Sequence, residues 1–368
     1  MKATIVYDYQ AFLLQEYGGI SRYFYELASR ISQAEHFSTR VIAPAYINQY
    51  LNNLNPHYLT GFLVPPIRRT VRIRSTINRE VTRFALSLIR PDLVHETYYA
   101  SERLAAKKTK IITTIHDMIP EKFSELFPPS HPIPLLKKKS IIRADCIICV
   151  SENTRKDVLE RFNVDPQNVF VTHLGCSLNP LPQKAVKTEQ VFRPYILYVG
   201  HREGYKNFSG FLKAFTRSKL LKKDFKIICF GATPFSQAEM HQFSSYNLSV
   251  AQIQHLSGDD TVLASLYANA SALVYPSLYE GFGIPPLEAM SYNCPVVCSD
   301  SSSIPEVVGN AAELFNPYEP ESITNALERV LYVSDRTQAL IRLGTERVKQ
   351  FTWENCVEKT CAIYASLL

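Results

Sequence analysis

No run of about 18 uninterrupted apolar residues, the length needed to cross a bilayer as a helix, occurs in this 368-residue chain. The opening "MKATIVYDYQ" turns polar after a few apolar positions and has neither a hydrophobic leader region nor a small-residue cleavage site, so the expected location is the cytosol. The dinucleotide fingerprint G-x-G-x-x-G is missing: after "ATIVY" there is only "EYGGISRY", and "GFG" at Gly281–Gly283 has no third glycine. Nicotinamide binding is set aside on that ground, and the lack of G-x-x-x-x-G-K-[ST] excludes a P-loop enzyme. Paired metal-site cysteines are missing too. Cys146-x-x-Cys149 has half the spacing, but it lies in the apolar run "CIICV", where residues three apart point to opposite faces of a strand. Cys294 and Cys298 flank "PVV" and are likewise expected in the core. Neither a metal nor a cofactor is expected, and disulfides are not expected in a reducing compartment.

What is present describes a folded protein of two domains, with 46% hydrophobic and 20% charged residues over a length that exceeds one core of about 150 residues. The formal charge of +6 is uneven: residues 1–175 hold 23 Lys+Arg against 16 Asp+Glu, leaving 17 against 18 for the rest. Short apolar runs recur between helix-compatible stretches: "ATIVY", "TRVIA", "DLVHE", "KIITTIH", "CIICV" and "VFVT". Between the first two, "GISRYFYELASRIS" places Ile20, Phe24, Leu27, Ala28 and Ile31 on one helical face. A second series follows: "YILYVG", "FKIICF", "IQHL", "ALVYP", "PVVCS" and "AELF". Such alternation predicts parallel sheets with crossover helices, an α/β fold of two Rossmann-like, doubly wound domains facing a cleft. The expected divisions are a first domain at 1–175, a Pro-rich polar linker at 176–193, a second domain at 194–350 and a final helix at 351–368 that packs back towards the first.

The segment "YPSLYEGFGIPPLEAM", Tyr275–Met290, concentrates the chemistry. A strand ends at Pro276, and Pro285-Pro286 suits the first turn of a helix, where a missing N–H costs little. Strand, glycine loop and helix make the shape of a phosphate site: Gly281 and Gly283 allow close backbone approach, and first-turn N–H groups point at the anion. A diphosphate needs cations as well, and "VGHREGYKN" offers Arg202 and Lys206. The plain alternative for that loop is a solvated basic surface. Glu288, expected in the first helical turn, is either a dipole-complementing acid or an acceptor for ribose hydroxyls. Glu280, before the glycines, would accept two sugar hydroxyls.

These motifs resemble the Glu-x7-Glu signature of retaining, nucleotide-sugar-dependent glycosyltransferases of the GT-B fold, family 4, which includes many bacterial polysaccharide transferases. Further similar segments occur in the expected order, among them "YGGISRY", "TIHDMIP", "VSENTRKD", "SSSIPEVVGNAAELFNP" and "FTWE". The resemblance implies metal independence and retention at the anomeric carbon. It assigns Arg202 and Lys206 to the donor diphosphate and Glu288 to the ribose. Glu280, with backbone N–H groups around Gly281, Phe282, Gly283 and Ile284, goes to the transferred sugar. Gly18 and Gly19 would approach the donor phosphates, and His116 would meet the sugar near the acceptor. The catalytic set is thus Glu280, His116, Arg202 and Lys206. One departure stands out: many relatives have Arg directly before the lysine, where this chain has Tyr205.

The implied reaction moves a hexose from a nucleoside-diphosphate sugar, UDP-hexose before GDP-mannose on family frequency, to a glycan or lipid-linked glycan. A glycoside hydrolase with two carboxylates would leave Arg202 and Lys206 idle. An epimerase or a non-catalytic sugar-nucleotide-binding protein of the same fold are the alternatives. No nucleic-acid partner is expected. Without the resemblance His116 reads as a satisfied strand-end histidine, and Ser151 as the N-cap of a helix. The segment Ile67–Arg83 carries Arg68, Arg69, Arg72, Arg74, Arg79 and Arg83 against Glu80 alone. It is either a solvated face or a contact for an anionic membrane surface.

Overall fold

The run ATIVY forms strand β1 (Ala3–Tyr7), with Ile5, Val6 and Tyr7 fully buried, as expected of a strand covered on both faces of a parallel sheet. The structure, a computed structural model, describes residues 2–33, 36–67, 70–176, 194–231, 233–249 and 251–368. Apart from Cys176, the expected linker at 176–193 lies outside them. Contacts divide the chain into two units, Met1–Gly175 with Trp353–Leu368, and Cys176–Thr352.

In the first unit β1 is joined by β2 (Phe37–Tyr46), β3 (Leu59–Leu63), β4 (Leu93–Glu96), β5 (Lys110–Ile115), β6 (Cys146–Cys149) and β7 (Val169–Val171). All pairings are parallel, in the order β3-β2-β1-β4-β5-β6-β7. Strand β3 has no counterpart among the runs expected from sequence. It is an edge strand whose residues beyond Leu59 are exposed, so no buried pattern marks it. The helix Gly19–Ile31 buries Phe24, Leu27, Ala28 and Ile31 as its periodicity predicts, with Ser21 and Tyr23 added, while Ile20 is only half-buried. Cys146 and Cys149 are buried free thiols in β6, and burial raises both pKa values, that of Cys146 to about 12.

The helix Trp353–Leu367 belongs to the first unit. Tyr364 anchors it: its hydroxyl lies 2.6 Å from His95 Nδ1 in β4 and 2.9 Å from the Tyr7 hydroxyl in β1. His95 Nε2 is 2.8 Å from Thr114 Oγ1 in β5. A buried polar chain therefore crosses three adjacent strands, and every member has a partner.

The second unit contains β8 (Tyr195–Val199), β9 (Lys226–Phe230), β10 (Ile253–Leu256), β11 (Ala272–Tyr275), β12 (Val296–Ser299) and β13 (Glu313–Phe315). The order β10-β9-β8-β11-β12-β13 is again wholly parallel. Phe208, Phe211, Leu212 and Phe215, from the helix after β8, pack with Ile196, Tyr198 and Ile227 in its core. Chain direction across the sheet reverses between β8 and β11, and ligands of open α/β sheets bind at the carboxyl ends of strands beside such a switch. The loops at 200–207 and 276–283 occupy that place.

Candidate active site

Two loops of the second unit are stitched together beyond β8 and β11. Asn207, held at φ 53°, donates its side-chain N–H groups to Pro276 O at 3.1 Å and Pro317 O at 2.8 Å, and Leu278 N–H donates to Tyr205 O at 2.7 Å. Lys206 is thereby directed at the second loop. Its Nζ lies 2.6 Å from Glu280 Oε1 and 3.5 Å from the Tyr275 hydroxyl, over the rings of Tyr205 and Tyr275 at 5.5 and 5.4 Å. The two charged side chains keep 14% and 10% exposure, so the pair is largely covered yet reachable. The Tyr275 hydroxyl also hydrogen-bonds Glu280. Burial, and then the neighbouring carboxylate, push its pKa well above the usual phenol value, so it remains a neutral donor.

Glu280 is held from beneath. Its N–H donates to Ser302 Oγ at 2.8 Å, and Ser303 Oγ donates to the carbonyls of Glu280 and Phe282 at 2.9 and 2.8 Å. Gly283 then takes φ 109° as the N-cap of the helix Ile284–Ser291, a conformation closed to most L side chains. Pro285 and Pro286 fall in its first turn as predicted. Phe282 is turned inward against Phe351 at 5.8 Å, so it offers its backbone rather than its ring. Glu288 departs from expectation: it is the fifth residue of this helix, beyond the first turn, where the dipole's effect has faded. Its Oε2 accepts from the Tyr267 hydroxyl at 3.0 Å, and the residue is half-buried.

Arg202 differs from the expected free cation. Its Nε donates to Glu239 Oε1 at 2.5 Å and its Nη2 to Thr233 O at 2.8 Å, and the guanidinium lies over Phe235 at 4.8 Å. Glu239 also closes a capping box with Ser236 on the helix Gln237–Ser245. Burial opposes the charge of Glu239, but the Arg202 and Ser236 hydrogen bonds outweigh it and lower its pKa. Among the described residues Arg202 Nη1 is buried with no hydrogen-bond partner.

The remaining residues singled out from sequence belong to the first unit. Gly18 caps the Gly19–Ile31 helix and accepts from Ser21 Oγ through its carbonyl, while Ser21 N–H donates to Gln15 Oε1 at 3.2 Å. His116 follows β5 with its ring against the edges of Tyr23 and Phe24 at 5.6 and 6.0 Å. Burial, and then the Lys137 cation, lower its pKa to about 3, so the imidazole is neutral. Its Nε2 is buried without a partner among the described residues, unlike either nitrogen of His95. Lys137 is itself buried, donating to Glu121 Oε2 and to Asp117 O, both at 2.8 Å. Ser151 is an N-cap, accepting from Thr154 N–H at 3.0 Å. In the arginine-rich segment Arg68 and Arg69 lie outside the described residues. Arg79 and Arg83 are opposed not by Glu80 alone but also by Glu102, at 3.5 and 3.0 Å.

Residues 182–347 match the model of the family described as Glycosyl transferases group 1, and residues 17–179 that of Glycosyltransferase Family 4. The chain is 31% identical over 281 residues to O-antigen chain mannosyltransferase B of Escherichia coli, covering 73% of each chain. The chain belongs to the family 4 GT-B glycosyltransferases. It is also 30% identical over 225 residues to O-antigen chain mannosyltransferase RfbU of Salmonella typhimurium, an alignment spanning 60% of this chain and 61% of that one. The fold of this glycosyltransferase superposes on that of Anabaena HepE in complex with UDP-glucose with a TM-score of 0.72, covering 99% of both chains at 16% identity.

Sequence reasoning missed several residues that shape this candidate site of the glycosyltransferase. Tyr275 and Tyr205 wall the Lys206 ammonium, Ser302 and Ser303 hold the Glu280 backbone, Glu239 engages Arg202, and Tyr267 orients Glu288. None has a spacing signal, since each acts on a residue at least 20 positions away or through a ring face.

Proposed function

We propose that this protein is a retaining, metal-independent hexosyltransferase that moves a sugar from a nucleoside-diphosphate donor to a hydroxyl of a glycan or lipid-linked glycan in polysaccharide synthesis. The observation that carries the reading is the covered but accessible Lys206–Glu280 pair beside the Gly283-capped helix. A diphosphate arriving at the helix N-terminus offers Lys206 a more highly charged partner than one carboxylate, and Glu280, released, is free to accept sugar hydroxyls. As the bond from anomeric carbon to phosphate oxygen lengthens, the charge developing on the leaving phosphate is stabilised by Lys206 and first-turn N–H groups, with Arg202 adding its positive charge nearby. The acceptor hydroxyl attacks the face the nucleotide leaves, and its proton passes to the departing phosphate oxygen. No protein nucleophile is needed. Glu288, with one oxygen bound to Tyr267, accepts from the ribose, and the neutral imidazole of His116 lies near the sugar on the acceptor side.

Family frequency ranks UDP-hexose first, but two mannosyltransferase relatives reverse that order, making GDP-mannose the first donor to test. A thermal-shift panel of GDP-mannose, UDP-glucose and an ADP-sugar decides, because a ligand of the folded state raises apparent stability. Transfer of labelled sugar to a glycan acceptor, with and without chelator, and the configuration of the product test the remainder. Turnover of a glycoside without nucleotide, or a donor sugar altered in the absence of acceptor, would overturn the proposal.

A further inference from the structure

The helix Val71–Ile89 of the first unit carries uncharged side chains on two faces, and only one is used by the fold. The inner face is pinned by Asn78, which is fully buried. Its Oδ1 accepts from Ala45 N–H at 3.0 Å, and its Nδ2 donates to Ala45 O at 3.1 Å and Arg74 O at 2.8 Å. This amide bonds the strand where the β2–β3 register shifts between Ile42 and Ala45, a stretch that contains Pro44 and so lacks one N–H. Thr82 and Leu86 continue the buried side in steps of one turn. A helix held this way cannot roll to hide its opposite face.

On that opposite face Ile73, Ile77, Val81, Phe84 and Leu88 are 63%, 49%, 42%, 65% and 67% exposed. At 3.6 residues per turn they fall within an arc of about 80°, where a helix of a soluble domain places charges instead. Ile67 is exposed just ahead of the helix, and its carbonyl lies 3.5 Å from Arg74 Nη2. A contiguous apolar surface of this kind marks a binding face.

Charge selects the occupant. The segment Ile67–Arg90 holds seven arginines against one glutamate, a net +6 that equals the charge of the entire chain. Glu80 and Glu102 neutralise Arg79 and Arg83 in part, but Arg74 borders the stripe on one side, and Arg72 and Arg90 stand beyond Thr76 and Ser87 on the other. A second copy of the chain would set this cationic segment against itself. We propose that the Val71–Ile89 helix lies in the interface of an anionic bilayer, its apolar stripe at the acyl-chain boundary and its flanking arginines among the lipid phosphates. The driving force differs from that expected from sequence: the apolar stripe contributes along with the arginines, so attachment is only partly sensitive to salt.

Co-sedimentation of the full chain with phosphatidylcholine vesicles, with and without phosphatidylglycerol, tests this without any donor or acceptor, so its outcome is separate from that of the transfer reading. Wild type should bind the anionic vesicles at least tenfold better than the neutral ones. Binding should weaken but persist as salt contracts the Debye length from about 10 Å at 0.1 M to about 3 Å at 1 M. Ile77→Ser combined with Phe84→Ser should lose at least tenfold in vesicle binding at both salts, with an unchanged melting temperature and unchanged nucleoside-diphosphate affinity. Wild type that ignores anionic vesicles at low salt, or a double variant that binds as wild type does, overturns the proposal. So does light scattering that shows a dimer broken by the double variant while vesicles stay unbound.

Discussion

Lys206 Nζ and Glu280 Oε1 lie 2.6 Å apart, although 74 residues separate them in sequence. The contact gives these two residues a structural role beside the chemical one proposed for them. Lys206→Ala should strand the Glu280 carboxylate in a largely covered site, at a cost of about 1–3 kcal/mol. Lys206→Met combined with Glu280→Gln should recover that stability without recovering affinity for nucleoside diphosphate. Calorimetric unfolding and nucleotide titration measure the two separately, and a double variant with wild-type affinity would remove Lys206 from the phosphate site.

Glu280→Gln alone keeps the shape of the loop, since Ser302 and Ser303 bind its backbone rather than its carboxylate. Nucleoside-diphosphate affinity should change only a few-fold. Transfer should fall about 10- to 150-fold for each charged hydrogen bond to a sugar hydroxyl that is lost. Steady-state transfer rates beside nucleotide affinity provide the check, and near-normal transfer excludes the assignment.

Arg202→Ala should behave unlike Lys206→Ala. It removes a paired guanidinium that links two loops of the second unit, so stability should fall by about 1–3 kcal/mol. The affinity of the folded protein for nucleoside diphosphate should fall less than in Lys206→Ala, because the guanidinium is already engaged by Glu239 and Thr233. An affinity loss exceeding that of Lys206→Ala would mean that the guanidinium leaves Glu239 for the phosphate.

Burial, with His116 adding a smaller repulsion, holds the His95 pKa at about 3, below its ordinary value of about 6.5. The unfolded chain therefore takes up the proton first as the solution is acidified. The stability contributed by neutral His95 is full above about pH 6.5 and is lost as pH falls towards about 3, at up to about 1.4 kcal/mol per pH unit. His95→Gln should flatten the stability curve of the first unit across that window relative to wild type. Denaturant unfolding at a series of pH values measures the difference, and parallel curves would contradict it.

The features legible in the sequence are those whose physics is local. Strands buried on both faces appear as continuous apolar runs, so β1, β6, β8 and β11 are visible without any partner. Ser151 caps a helix through a bond to a residue three positions on. The Glu-x7-Glu segment carries its strand, glycine turn and helix within 16 residues, and the double proline and Gly283 dictate where that helix starts.

Tertiary structure alone decided which charges meet. Arg202 and Lys206 look alike as two cations four residues apart in one loop. The fold gives the first to Glu239, 37 residues on, and the second to Glu280, because β9 and β11 deliver their loops on opposite sides of β8. The exposed strand β3 has no buried pattern to reveal it, since an edge position needs no apolar face. Tyr364 meets Tyr7 across 357 residues, and nothing near either tyrosine signals the other. Sequence by itself determined the elements and the chemistry available to the site, since propensity, capping and apolar periodicity act within a few residues. Pairing, burial and pKa shifts depend on which strands become neighbours, and that is a property of the folded sheet.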